Sequence, residues 1–365
     1  MRSGSAGGRC RRHPSQAVVV AANMATSSNA TSWPQPEEGD CIIKEFHFDS
    51  GETMPELRIH YRTLGTIKKA KDGHASNAVL IMHGTTGSSA GFFQDIFAGQ
   101  LCKPGQLLSS EEYFLVLPDG IGHGGSSKPS DGLRASFPRY GYNDMVHAQH
   151  ALLTQHLGVD HLRLVMGTSM GGMQTWMWGT TYPDFMDALM PLASLPTQIA
   201  GRNRMMRKMA IDSIRQDPEF RDGNYEVNPR GLKAALHVLA WMSSAPLRWQ
   251  ADCPDQESAD AFIDAWMDKG MREKDANDFA YAFDASRDYD PRPGLKGVKA
   301  ALTAVNFADD QVNPPELGIF EEETKKVPRG LAIMMPIDEQ TIGHGTHSVA
   351  ANWKHHLAEL LERSA

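Results

Sequence analysis

The spacing of polar and apolar positions changes several times along the chain, and each change marks an element. "CIIKEFHF" (41–48) and "ELRIHYRTLG" (56–65) alternate and are rich in β-branched and aromatic residues. With the turn chemistry of "SGET" between them, they predict an antiparallel hairpin. Other runs are apolar throughout: "NAVLIMHG" (77–84), "YFLVLPDG" (113–120), "LRLVMG" (162–167), "DALMPLA" (187–193), "ALTAVNF" (301–307) and "LAIMMPI" (331–337). Short continuous runs of this kind predict strands buried on both faces, as in a parallel sheet. Helical spacing lies between them. "NDMVHAQHALLTQHLG" (143–158) opens on a capping Asn or Asp and ends at Gly158. "GGMQTWMWGTTYP" (171–183) is a second helix, and "SVAANWKHHLAELLERS" (348–364) closes the chain as an amphipathic one. Strands alternating with helices predict an α/β fold, a mostly parallel sheet with helices on both faces.

One long segment breaks the alternation. From 195 to 295 the pattern contains no convincing strand. "RNRMMRKMAIDSIRQDP", "RGLKAALHVLAWMSS", "SADAFIDAWMDKG" and "DANDFAYAFDASRDYD" all read as helical. The expected organisation is a leader or extension over 1–40, a core over 41–194 and 296–365, and an inserted helical lid over 195–295. Such an insertion belongs over the C-terminal edge of the strands, where sheets of this kind bind ligands.

Composition narrows the class. The chain has 365 residues, 41% hydrophobic and 22% charged, enough for a sizeable core. A net charge of -8 gives no electrostatic reason to expect nucleic acid or a membrane as partner. Cys10, Cys41, Cys102 and Cys253 form no CxxC pair, which argues for reduced thiols over a disulfide framework or zinc ribbon. The N-terminal "AVVVAANMA" is a poor secretory signal, short and broken by Asn23, and Met24 offers an alternative start. The expected location is cytoplasmic, with secretion as the other reading. No other run is long enough to span a bilayer.

Candidate chemistry centres on "GTSMGG" (167–172), which matches G-x-S-x-G between an apolar strand and a helix. A sharp turn there exposes the Ser169 hydroxyl, and the Met170 N–H at the helix start can donate to an oxyanion. A serine nucleophile needs a base oriented by an acid, in the chain order Ser, acid, His. The loop "ADDQVNPPELG" after 301–307 offers Asp309 or Asp310, of which Asp310 is favoured. The loop "DEQTIGHGTHSV" after 331–337 offers His344 or His347, of which His344, between Gly343 and Gly345, is favoured. A metal reading of the two histidines lacks a third ligand, so no metal is expected. The second oxyanion donor is expected from "HGTTG" (83–87), at Thr85. His123, in "DGIGHGGSSKPSDG" (119–132), reads as structural.

Taken together, these segments resemble the α/β-hydrolases of the homoserine O-acetyltransferase group, from about Phe46 to the C-terminus. "GTSMGGMQ" and "WGTTYPDFMDALMPLA" resemble that family's nucleophile elbow and following strand. "RNRMMRKMAIDSIRQDP" and "DANDFAYAFDASRDYD" resemble its first and last lid segments. "DDQVNPPE" and "GHGTH" resemble its acid and histidine loops, and so favour Asp310 and His344. The resemblance implies an acyl-enzyme on Ser169, acetyl-CoA as co-substrate with no prosthetic group, and Arg207 as the grip on a substrate carboxylate. It also implies a homodimer formed through the lid. Two features depart from the family: Gly345 stands where it usually has Asp, and 119–132 reads as an ordinary hydrolase loop. The expectation is therefore a hydrolase of small esters or thioesters acting through acyl-Ser169. An O-acyltransferase using acetyl-CoA is the alternative, and a non-catalytic binding protein on a hydrolase scaffold the third reading.

Overall fold

The apolar runs become the middle of one eight-stranded sheet, ordered β1-β2-β4-β3-β5-β6-β7-β8. The computed structural model describes Trp33 and residues 35–365, so Cys10, Asn23 and Met24 of the expected leader lie outside the described residues. The strands are β1 (Glu37–His47), β2 (Thr53–Leu64), β3 (Ala78–Met82), β4 (Phe114–Pro118), β5 (Leu164–Thr168), β6 (Ala188–Leu192), β7 (Ala301–Phe307) and β8 (Gly330–Met335). β1 and β2 form the expected hairpin, with Cys41 opposite Ile59, and β2 continues antiparallel to β4. From β4 to β8 every pairing is parallel. One boundary differs from the sequence expectation. β1 begins at Glu37, inside the span assigned to the leader, because "EEGD" pairs with Thr63 through His60 on β2.

Side chains on the central strands alternate between two cores. On β3, Val79 and Ile81 face one side while Leu80 and Met82 face the other. The first helices are α1 (Ala98–Leu101), α2 (Tyr142–Ala151) and α3 (Met170–Thr181). Met145 of α2 and Leu152 just after it, with Trp176 and Trp178 of α3, cover the Leu80 side. Leu101 of α1 covers the other face, with Trp353, Leu357 and Leu360 of the C-terminal helix (Ala350–Arg363). This two-sided cover explains why the strands lack polar alternation. α2 corrects a detail of the sequence reading. Neither Asn143 nor Asp144 is the N-cap; Gly141 is, and the Asp144 carboxylate three residues on accepts its N–H at 2.7 Å.

Among the described residues no strand lies between β6 and β7. The chain there forms α4 (Gly201–Arg215), α5 (Arg230–Met242), α6 (Pro246–Asp252), α7 (Gln256–Glu273) and α8 (Ala276–Asp284). Their inward faces build a small core of their own, including Ile214, Leu232, Leu236, Met267 and Phe279. Asp255 and Asp275 cap α7 and α8 by accepting first-turn N–H groups. α9 (Ile319–Thr324) and α10 (Ala350–Arg363) complete the chain. No helix among the described residues is long and apolar enough to cross a membrane.

Candidate active site

Ser169 sits at the crossing of β5 and α3 with φ 54° and ψ -109°, in a region that L-residues avoid. Such a conformation costs on the order of 1–3 kcal/mol and persists only where the surroundings hold it. Here they do. The Ser169 N–H donates to the Leu192 carbonyl at 2.9 Å, and the Gly171 N–H donates to the His83 carbonyl at 3.0 Å. The turn is thereby pinned to both neighbouring strands. A side chain at Gly171 would meet the Met82 carbonyl at 2.1 Å, so the motif's second glycine is required by close packing.

Ser169, His344 and Asp310 stand in hydrogen-bonded series. His344 Nε2 is 2.8 Å from Ser169 Oγ, and His344 Nδ1 is 2.8 Å from Asp310 Oδ2. An ionised carboxylate only accepts, so Nδ1 carries the proton and Nε2 is free to accept from the serine. Asp310 is wholly buried, and its other contacts are all donors: Val312 N–H at 2.7 Å, Asn313 N–H at 3.2 Å and Asn313 Nδ2 at 3.0 Å. Burial alone would push its carboxyl up. The His344 charge and hydrogen bond, with those from Asn313 and Val312, outweigh it and hold the pKa below the ordinary carboxylate value.

The structure separates the two pairs that the sequence left open. Asp309 turns the other way and accepts the Gly343 N–H at 2.8 Å, so it shapes the histidine loop from behind. His347 lies in the short helical turn Gly345–Ser348, its ring 5.2 Å from that of His344 and its Nδ1 3.0 Å from Ser348 Oγ. Desolvation, helped by His344, pushes its pKa down to about 3.

Met170 is the first residue of α3, so its N–H has no partner within the helix. Thr85 lines the same cavity as Ser169 and His344. Its loop is held by contacts that sequence reasoning did not supply. His123 Nε2 meets the Thr85 carbonyl at 2.7 Å, and Lys274, at the C-terminal end of α7, donates to the Thr86 carbonyl at 2.7 Å. His83 accepts the Gly120 N–H through Nε2 at 2.9 Å, which leaves Nδ1–H to donate to the Gly84 carbonyl at 2.8 Å. A histidine following an early strand is the one signal for this in the sequence; Lys274 left none.

Arg207 of α4 is 2% exposed. Its guanidinium meets Asn203 Oδ1 at 3.0 Å and Ser286 Oγ at 3.3 Å and stands 5.4 Å from the Phe283 ring centre. No carboxylate among the described residues forms an ion pair with it, an unusual state for a buried cation. It lines two cavities that meet at Ser169. One, of about 400 Å³, holds Thr85, His344, Gly345 and Trp266; the other, of about 550 Å³, holds Met173, Leu195 and Leu317. The arrangement has what covalent acyl transfer requires: a hydroxyl lining both cavities, an oriented base, unpaired N–H groups nearby and space for two substituents.

Comparison with known proteins agrees. Residues 77–237 match a family described as alpha/beta hydrolase fold. The chain is 31% identical over 300 residues to the homoserine O-acetyltransferase of Haemophilus influenzae, covering 73% of this chain and 81% of that one. It is 29% identical over 276 residues to a probable acyltransferase of Methanothermobacter thermautotrophicus, covering 75% and 83%. Among solved structures, the acetyl esterase MekB superposes with a TM-score of 0.77 at 24% identity, over 89% of this chain and 97% of that one. The homoserine O-acetyltransferase of Bacillus anthracis does so with 0.77 at 20%, over 89% and 97%; at these identities the two structures speak for the fold. The chain belongs to the homoserine O-acetyltransferase-like family of α/β-hydrolases, a family of acyl-transfer enzymes.

Proposed function

We propose that this protein hydrolyses small esters or thioesters through an acyl-Ser169 intermediate. The observation that carries the reading is the 2.8 Å series from Ser169 through His344 to Asp310. Ser169 Oγ attacks the substrate carbonyl carbon while its proton passes to His344 Nε2. Asp310 orients the ring and stabilises the imidazolium. The N–H groups of Met170 and Thr85 hold the oxyanion, each worth about 10²–10³ in rate. His344 returns the proton to the leaving oxygen or sulfur as that bond breaks. Water, deprotonated by the same nitrogen, then frees the acid and restores Ser169. The helices over 195–295 act as a lid, with Lys274 tying them to the oxyanion loop.

Gly345 supports water as the acceptor. It borders the cavity with His344, and a Cβ there would meet only Ile342, at 3.2 Å. Packing therefore leaves room for a side chain, yet no carboxylate stands there to hold an acceptor's amino group. Arg207 favours a second reading. Its unpaired buried guanidinium suits a carboxylate, which an amino-acid acceptor such as homoserine would bring, with acetyl-CoA as donor. Met205 and Met209, exposed one turn apart on α4, support the expected homodimer through these helices.

The deciding experiment measures thiol release from acetyl-CoA with and without L-homoserine, beside hydrolysis of p-nitrophenyl acetate, using Ser169→Ala as blank. Ser169-dependent ester cleavage with no homoserine effect is expected. Release from acetyl-CoA that rises with homoserine would replace the hydrolase by the transferase. Failure of a fluorophosphonate to label Ser169, with no turnover of either substrate, would leave only a binding scaffold.

A further inference from the structure

The two cavities at Ser169 are not equivalent, and the geometry of the acyl carbon tells them apart. A carbonyl carbon bonded to Ser169 Oγ has three other substituents in the tetrahedral intermediate. Its oxygen must face the N–H groups at Thr85 and Met170. The leaving or incoming oxygen must lie within reach of His344 Nε2. The acyl chain takes the direction that remains. Thr85 and His344 both line the 400 Å³ cavity and neither lines the 550 Å³ one, although Ser169 belongs to both. The first two directions are thereby used up on one side, and the chain is left with the other.

That cavity is far larger than an acetyl group needs. A methyl group is comparable in size to a water molecule, about 30 Å³, against about 550 Å³ of space. Its wall includes Met173, Leu195, Ile199, Val312, Leu317 and Ile319. Two further arginines border it, but both are engaged: Arg202 donates to the Gln311 carbonyl, and Arg292 grips Asp290 at 2.7 and 2.6 Å. Arg207 is shared with the smaller cavity, so it stands near the carbonyl junction and not at the far end of a chain. Ser194, Thr197, Gln198, Asn203, Asn313 and Glu316 also line it, so the wall is mixed, but Arg207 apart each cation in it already has a partner and none is left to call for a charged terminus.

We infer that the 550 Å³ cavity is an acyl-chain pocket, and that the preferred donor is an ester of a neutral aliphatic acid longer than acetate, of about four to eight carbons, which at ~30 Å³ per carbon fill less than half of that space. This rests on the acyl-Ser169 reading and specifies which acyl group that serine takes.

The test is kcat/KM for the p-nitrophenyl esters of acetic, butyric, hexanoic and octanoic acid, with Ser169→Ala as blank. Burying one methylene is worth up to about four-fold, so the value should climb from acetate to hexanoate by more than ten-fold. Ile199→Trp and Leu317→Trp, which fill the pocket from its wall and its solvent-facing edge, should each lower the hexanoate-to-acetate ratio at least five-fold. A ratio is unaffected by a loss of folded enzyme, and fluorophosphonate labelling counts the competent sites. Ser169-dependent activity that is highest on acetate would overturn the pocket and leave the acyl-serine intact. So would a chain preference that neither tryptophan moves. No Ser169-dependent turnover of any ester, with no labelling, would instead overturn the acyl-serine and the pocket with it.

Discussion

Replacing Asp310 by Asn is the sharpest probe of the proposed triad. Every contact of this carboxylate is a donor: His344 and Asn313 Nδ2 on Oδ2, and the Val312 and Asn313 N–H groups on Oδ1. An amide therefore puts an NH₂ group against donors whichever way it turns. The two backbone N–H groups cannot move, so the amide oxygen stays with them and the NH₂ faces His344. The imidazole then accepts at Nδ1 and carries its proton on Nε2, where it can no longer receive one from Ser169. By analogy with the serine-protease triad, loss of the correct tautomer costs about 10⁴ in kcat, or about 5.5 kcal/mol of transition-state stabilisation. The assay is Ser169-dependent ester cleavage, with the rate of fluorophosphonate labelling as a second readout. Asp309→Asn is the control. Asp309 accepts only the Gly343 N–H, and an amide oxygen can keep that bond, so less than ten-fold should be lost. An Asp310→Asn enzyme within ten-fold of the parent, or an Asp309→Asn enzyme that is the worse of the two, would refute the assignment.

Other outcomes follow from the same contacts. Gly171→Ala sets a Cβ 2.1 Å from the Met82 carbonyl, so it should lower the melting temperature sharply and abolish labelling of Ser169 together. Lys274→Met removes the bond to Thr86 and should lower kcat more than it raises KM, because the tie positions the proposed oxyanion donor and not the ground-state substrate. Gly345→Asp, for which only Ile342 must yield, should raise the homoserine effect on acetyl-CoA cleavage if acceptor binding is what this chain lacks. Burial, with His83, pushes His123 from its ordinary 6.5 down to about 4. A folded value below the unfolded one means stability fully present above pH 6.5 and lost as pH falls toward 4, up to about 3 kcal/mol. Thermal melts between pH 7 and 4.5 should fall less steeply for His123→Gln than for the parent.

The central sheet was legible because its strands are buried on both faces and read as unbroken apolar runs. The start of β1 was not. Glu37 and Glu38 are exposed on the edge of the sheet and pair only with β2, so nothing apolar marks them. Ser169 was legible because its turn admits so few side chains that the glycines around it form a pattern. The choice between Asp309 and Asp310 was not local, since adjacent carboxylates diverge and only the position of His344, 34 residues on, selects one. The clamps on the loop at Thr85 and Thr86 are the extreme case. Lys274 and Thr86 are 188 residues apart, and no periodicity joins a lysine at a helix end to a carbonyl in a distant loop.

The same distinction bears on the second half of the reaction. Gly345 and Arg207 are single residues and could be read in the sequence, but they point to different acceptors. Whether water or an alcohol reaches the acyl carbon depends on the volume left around it, which belongs to residues from several distant segments of chain. If a chain longer than acetyl fills the 550 Å³ side, water has only the His344 side from which to arrive, and an alcohol must compete for that same approach. Arg207 lines both sides, so an acceptor held by its carboxylate would gain where water cannot. Acyl length and acceptor choice are therefore coupled in this site. The homoserine effect, if one exists, should be measured with the acyl group that fits the pocket as well as with acetyl.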